Sequence, residues 1–439
     1  MALEGLAHSV TFQADYGSQS TTVLEHKAGF VPPRAAAKGE YGVSKGGDNT
    51  LKHNNAVQKL FTTSEETRAS EDGNQPLITA YKNDNVNAAL SIIEKQGVNT
   101  QRESIAPIAL ACREGASADM ILKLFKWAKS HNIKVSETQK ALCLELCAAH
   151  CLPNQLEIVL EQGIHPDNYH SSGSATPLIR VLVNAKSHRE HMADALIRKG
   201  ASLEVRDSKT GNTPLMHVAQ FASCLTLLFI LSKNTKLTAI NREGNNALHF
   251  AVCVGKLRNA ELIAMKDNSL MSLKNAQGWT PFQVVGRLMD SQNLDPAARY
   301  TYESLTVAAI EQEIWIIALK LYLDNPRSYE RISKNSDLVE RVEKVEEVAT
   351  FRSKLRDKEL KKSPDVIPLC CLYYLIKGAH YPLIEHALKD DASLLVKLNG
   401  ESKVMKQLDK QQTKFVTSRV GRGTLATVST PIVSTSTDV

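Results

Sequence analysis

The stretch Gly244-Asn245-Asn246-Ala247-Leu248-His249-Phe250-Ala251 decides how this chain is read. Glycine permits the positive φ of a tight turn, Asn246 offers an acceptor to the free N–H groups of a starting helix, and helix-compatible apolar residues follow. The same design is written at Gly211-Asn212-Thr213-Pro214-Leu215 and at Gly278-Trp279-Thr280-Pro281-Phe282. There proline occupies the first helical turn, where no N–H is needed. Working outward, the anchors Pro76-Leu77, Pro107-Ile108, Ala141-Leu142, Pro177-Leu178, Pro214-Leu215, Ala247-Leu248 and Pro281-Phe282 are separated by 31, 34, 36, 37, 33 and 34 residues. A period this regular is the mark of a repeat architecture. Later in each unit come apolar pairs such as Val159-Leu160, Leu196-Ile197 and Ile230-Leu231, closely followed by Gly163, Gly200 and Asn234. These read as second helices that end on a residue tolerant of the left-handed conformation.

On these residues the chain resembles the ankyrin repeat family, whose signature is a turn, a TPLHxA helix start, a second helix and a terminal glycine. The match is best in Asn246 to Ala251 (NALHFA), Thr213 to Ala219 (TPLMHVA) and Thr280 to Val285 (TPFQVV). The unit beginning at Lys140 lacks Thr-Pro, and those at Thr176 and Lys140 carry extra residues. The resemblance implies an all-α solenoid of about six to seven divergent repeats over residues 71–290. It also implies that His249 ties adjacent turns by hydrogen bonds and that turn tips and first helices form an extended concave binding surface.

Composition agrees with aliphatic helices. Aromatic residues are 5%, hydrophobic residues 43% and charged residues 23% of the 439, and the net charge is +6. No apolar run reaches the ~18 residues that span a bilayer. The opening MALEGLAHSVTFQADYGSQ has neither a basic segment nor a continuous apolar core of a signal peptide. The eight cysteines lie in helix-like apolar segments, so they read as reduced thiols of a cytoplasmic protein.

Outside the repeats, residues 1–70 read as a disordered arm rich in Gly, Ser, Thr, Lys and Ala. Residues 291–400 read as a helical C-terminal domain. Within it Ala297 to Leu323 suggests one long amphipathic helix, Ser336 or Asp337 starts a charged helix running to Lys361, and two helices start at Pro368-Leu369 and Pro382-Leu383. Residues 401–439, polar and then Ser/Thr-rich, read as a disordered tail.

Candidate chemistry is sparse. Cys143, Cys147, His150 and Cys151 share a helix face, but one straight face rarely satisfies tetrahedral zinc, and the position is one where small apolar residues pack. Cys370, Cys371, His380 and His386 lack the local signature of a cysteine nucleophile. Phosphate, nucleotide, zinc-protease and kinase motifs are absent, and Val420-Gly421-Arg422-Gly423 has no strand or helix to anchor it. No catalytic residue, metal ligand or cofactor is assigned.

Binding residues are better supported. The turn tips place Tyr169, Arg206, Lys209, Asn212, Arg242, Asn245, Lys274 and Trp279 where a protein partner with an acidic patch would meet them. The terminal Thr437-Asp438-Val439 fits the carboxyl terminus that PDZ domains read. The interspersed charges of residues 337–361 fit a solvated face better than a nucleic-acid stripe. The layout of divergent repeats, helical C-terminus and polar tail resembles ankyrin-containing effectors that intracellular bacteria deliver into the host cell cytoplasm by type IV secretion. The leading expectation is an interaction scaffold that binds a host protein. The competing expectation is an enzyme whose repeats recruit substrate to an active site in residues 291–400.

Overall fold

The computed structural model describes residues 75–96, 107–168, 175–184, 188–285, 301–325, 331–363, 365–389 and 392–428, and every regular element among them is helical. Residues 1–70, assigned from sequence to an N-terminal arm, lie outside the described residues. Helices pair along the chain: α1 (Gln75–Lys82) with α2 (Val86–Gln96), α3 (Pro107–Arg113) with α4 (Ala118–Ser130), and α5 (Glu137–Ala149) with α6 (Pro153–Glu161). They continue with α7 (Pro177–Asn184) and α8 (Arg189–Arg198), α9 (Pro214–Phe221) and α10 (Cys224–Leu231), and α11 (Ala247–Cys253) and α12 (Leu257–Lys266). Each first helix packs on the first helix of the next pair and each second helix on the next second helix, which is the neighbour-only packing of a solenoid.

Local chemistry sets these boundaries. Asn246 Oδ1 accepts from the N–H groups of Leu248 at 3.0 Å and His249 at 3.1 Å, starting α11. Thr213, Ser117, Ser136 and Ser223 cap α9, α4, α5 and α10 in the same way. Several first helices end on a left-handed residue whose successor donates to the carbonyl five positions back. Asn85 N–H reaches Ala80 O at 2.9 Å after Asp84, Ala116 reaches Ala111 at 2.9 Å after Gly115, and Lys256 reaches Ala251 at 2.9 Å after Gly255. Gly163, Gly200 and Asn234 close the second helices with φ of 81°, 100° and 60°, as their positions in the sequence predict.

The C-terminal half departs from three expectations. The stretch read as one helix from Ala297 is broken into α13 (Tyr302–Glu311) and α14 (Trp315–Asp324), because Glu313 turns left-handed at φ 56° and Ile314 N–H bonds Ala309 O at 2.8 Å. That is the same turn that divides the repeat pairs, so α13 and α14 form another helix pair. The charged segment is three short helices, α15 (Ser336–Glu343), α16 (Glu346–Lys354) and α17 (Lys358–Lys362), the first and third capped by Asn335 and Asp357. The pair α18 (Val366–Lys377) and α19 (Tyr381–Leu388) shares the left-handed device at Ala379, with His380 N–H on Leu375 O at 3.0 Å.

The third departure is the tail. After α20 (Ser393–Gly400), residues expected to be unstructured form α21 (Ser402–Met405) and α22 (Lys410–Val428). Val416 is fully buried, the Phe415 ring lies 4.5 Å from that of Tyr381, Arg419 pairs with Glu385 at 3.3 Å, and Gln412 Nε2 donates to Lys377 O at 3.2 Å. A few apolar contacts and two side-chain anchors hold a helix whose composition is otherwise polar. Residues 429–439, including Val439, lie outside the described residues.

The C-terminal helices pack directly on the end of the repeats: α14 against α12, and α19 against the 3₁₀ turn Asn268–Ser272. Thr280 Oγ1 donates to Asp324 Oδ2 at 2.6 Å, Asp324 Oδ1 accepts from buried Lys320 at 3.0 Å, and the same ammonium lies 5.7 Å from the centre of the Phe282 ring. All described helices lie in one compact unit.

Candidate functional site

The turns between units are built around one Asx residue each. Asp207, Asn241 and Asn275 donate their N–H groups to the carbonyls of Asn212, Asn245 and Trp279 at 3.0, 2.9 and 2.9 Å. Their side chains take back the N–H groups of those residues at 2.9, 2.9 and 3.0 Å. Short polar side chains that bond their own turn are the reason these positions are Asp or Asn. Gly211, Gly244 and Gly278 complete the turns at φ 75°, 77° and 80°.

Adjacent tips are stitched together. Arg242 N–H donates to Thr210 O at 3.3 Å and Ala276 N–H to Glu243 O at 3.0 Å. Asn241 Nδ2 donates to Asn212 Oδ1, and Asn275 Nδ2 to Asn245 Oδ1, both at 2.9 Å. A Cβ on Gly244 would lie 2.6 Å from Ala276 N, so glycine is needed there for the approach as well as for φ.

This geometry corrects two of the expected contact residues. Asn212 and Asn245 are 3% and 0% exposed, and their side chains belong to the ladder between tips, so neither offers a surface to a partner. Arg206, Lys209, Arg242 and Lys274 are exposed, and Trp279 is half-buried. Tyr169 lies outside the described residues. Arg206 Nη1 donates to Gly211 O at 3.0 Å and also to Ile240 O, while Arg242 Nη1 donates to Lys209 O at 3.1 Å. Both guanidinium groups are thus fixed on the tip ladder rather than free to sweep solvent.

His249 behaves as the resemblance implies. Fully buried, it joins its Nδ1 to Asn246 Oδ1 at 2.9 Å and its Nε2 to Trp279 O at 3.2 Å, linking a first helix to the next tip. Burial lowers its pKa to about 4, against the opposing pull of the Trp279 carbonyl. A second histidine has a related task that the sequence pattern did not reveal. His217 Nε2 lies 3.1 Å from Asp207 Oδ2, joining α9 to its own tip. Burial pushes the Asp207 carboxyl up, but bonds from His217 and Thr210 outweigh it and hold the group well below the usual carboxylate range. The signal was present: an Asx residue three or four positions before each turn glycine marks the closing side chain.

The other clusters resolve into packing. Cys143 and Cys147 are buried on α5 and face Cys112 from α3; the hydrogen bond from Cys112, with burial, pushes the Cys143 thiol well up. Cys151 takes a left-handed φ of 57° just past the end of that helix. Among the described residues no group of three or more His, Cys, Asp or Glu is arranged to hold a metal ion. Cys370 and Cys371 are buried on α18 with thiols raised by burial, and His386 Nε2 lies 3.0 Å from Ser272 Oγ instead of beside a thiol. A surface depression in the C-terminal half, lined by Asp357, Glu359, Leu360 and Ser363, includes none of these four residues. Among the described residues no helix is long and apolar enough to cross a membrane.

No protein-family model matches the chain, and no curated protein matches it. Among solved structures, it is similar to the ankyrin repeat domain of Bcl-3, described as a unique member of the IkappaB protein family. The identity is 21% and the TM-score 0.40, over 49% of this chain and 95% of that one.

Proposed function

We propose that this protein is an interaction scaffold that captures a host protein through the tips of its ankyrin-type stack, and that it acts as a bacterial effector in the host cytoplasm. The observation that carries the binding reading is the set of stitched tips: a rigid ladder of backbone and Asn side chains that presents Arg206, Lys209, Arg242 and Lys274 to solvent. A rigid platform with charges already placed loses little conformational entropy when a partner arrives. Affinity purification from host-cell lysate tests the reading, comparing the intact chain with a variant in which Arg206, Lys209 and Arg242 are changed to Glu. Loss of a specific bound protein supports it; if every bound protein survives the change, the binding surface lies elsewhere. The effector part rests on the layout alone. Its test is transfer of a reporter-fused chain into host cells by bacteria with and without an active type IV system, and equal transfer would refute it.

A further inference from the structure

The tips carry apolar as well as charged groups, and in register. Relative to the Asx residue of each turn, Arg206, Ile240 and Lys274 hold the same position in three consecutive tips, and Leu273 precedes Lys274. Ile240 is 49% and Leu273 38% exposed, two of the four large hydrophobic side chains that are openly exposed among the described residues. Each lies beside cations: Ile240 between Arg206, which holds its carbonyl, and Arg242, and Leu273 next to Lys274.

The cations here also differ from those elsewhere. Lys123 pairs with Asp119 at 2.5 Å, Lys344 with Glu340 at 2.7 Å and Arg352 with Glu343 at 2.7 Å. Among the described residues, none of Arg206, Lys209, Arg242 and Lys274 has a carboxylate partner. The acids of the same surface accept from neutral N–H groups and form no ion pair with these cations. Asp207 closes its turn, Glu243 Oε2 accepts from Asn245 Nδ2 at 3.0 Å, and Glu204 Oε1 accepts from Lys236 N–H at 2.7 Å. The tips therefore hold four cations without an ion-pair partner among the described residues, with apolar side chains set between them.

From this arrangement we infer that the tips from Arg206 to Lys274 bind a short linear segment of a partner protein in which acidic residues flank apolar ones. The inference rests on the interaction reading above and specifies the partner's chemistry. Helices of neighbouring units pack about 8–10 Å apart, so three tips span roughly 20 Å. About six residues of extended chain cover that distance, at ~3.3 Å per residue. Carboxylates would pair with the four cations, bidentately at the pinned arginines, while aliphatic side chains cover Ile240 and Leu273. Duplex nucleic acid would use the cations and leave the two apolar residues without purpose.

The test is selection of a random dodecapeptide display library on the full-length chain, followed by binding of the enriched peptides in solution. The expected outcome is peptides containing both acidic and aliphatic residues. Their affinity should fall about tenfold or more on Lys209→Glu/Lys274→Glu, and again on Ile240→Ser/Leu273→Ser, with the circular dichroism spectrum unchanged. Neither double variant removes a side-chain bond of the tip ladder, so loss of binding would not report misfolding. No enrichment, peptides without acids, or affinity indifferent to Ile240→Ser/Leu273→Ser would overturn the inference. Duplex DNA that displaces the peptides and is itself indifferent to the apolar variant would reassign the stripe to nucleic acid. If the lysate experiment still yields a partner lost on charge reversal while the peptide selection fails, the scaffold reading stands and only this chemistry falls.

Discussion

Gly244 and Gly278 have nearly the same backbone conformation, φ 77° and 80°, in consecutive tips, yet they differ in what stands beside them. A Cβ on Gly278 would meet nothing within 4 Å, whereas one on Gly244 would lie 2.6 Å from Ala276 N and 3.1 Å from Asn275 C. Gly278→Ala therefore costs only the left-handed conformation, about 1–2 kcal/mol, partly offset by a less flexible unfolded chain. Gly244→Ala carries that cost and must also push the neighbouring tip away by about 1 Å to reach ordinary van der Waals contact. The displacement breaks the 3.0 Å bond from Ala276 N–H to Glu243 O and the 2.9 Å bond from Asn275 Nδ2 to Asn245 Oδ1. Each broken bond is worth about 1 kcal/mol, and more where the stranded acceptor is the buried Asn245 oxygen. The total for Gly244→Ala is about 3–5 kcal/mol, against about 1 kcal/mol for Gly278→Ala. Urea unfolding of the full-length chain, followed by far-ultraviolet circular dichroism, measures both. If the two variants unfold within about 0.5 kcal/mol of each other, the stitching of adjacent tips does not hold them together and the rigid-platform argument fails.

Three further outcomes follow from buried groups. Because the His249 pKa is lowered to about 4 in the folded chain, the unfolded chain binds more protons between pH 4 and about 6.5; this residue's contribution is complete above about 6.5 and is lost as pH falls toward 4. A His249→Gln variant should show a smaller drop in urea midpoint between pH 7 and 5 than the parent, and an equal drop would refute the assignment. Asp324→Ala strands buried Lys320 and the Thr280 hydroxyl and should destabilise by about 3 kcal/mol, whereas Asp324→Leu with Lys320→Met should recover much of the loss. A double variant as unstable as Asp324→Ala would show that the pair is not what joins the repeats to the C-terminal helices. Val416→Asp places a charge in a fully buried site and should release α22, read as faster tryptic cleavage between Lys410 and Arg419 without loss of the remaining helices.

Repeat periodicity was legible because each unit writes its own punctuation. Gly163, Gly200 and Asn234 announced the ends of second helices, and Asn246 and Thr213 the starts of first ones, all through local backbone chemistry. The same device became invisible where another residue type carried it. Glu313 and Ala379 adopt φ 56° with side chains that normally avoid that region, so nothing local marked the break between α13 and α14. The apolar spacing of Leu305, Ile310, Ile314, Ile317 and Leu321 runs through that break, since two short antiparallel helices facing one core can imitate the stripe of one long helix. Tertiary contact supplied what local sequence lacked: Ile314 and Ile317 are buried by packing that a one-dimensional reading does not contain.

The binding surface shows the converse limit. Polarity at a turn predicts exposure, which holds for Arg206, Lys209, Arg242 and Lys274 but not for Asn212 and Asn245, because an amide oxygen can accept from the Asn side chain of the next tip. A cation has only donors and a hydration shell that is expensive to strip, so at an unpaired tip it stays in water. Residue type at a turn therefore distinguishes ladder from surface: amides that can bridge the next unit turn inward, and cations without an ion-pair partner turn out. Ile240 and Leu273 break the usual polar rule for such turns and are the residues a reading by polarity alone would pass over. Their exposure among unpaired cations is the feature the tip ladder does not require, since exchanging either for serine removes no ladder bond. That independence from stability is why their substitution separates recognition from folding.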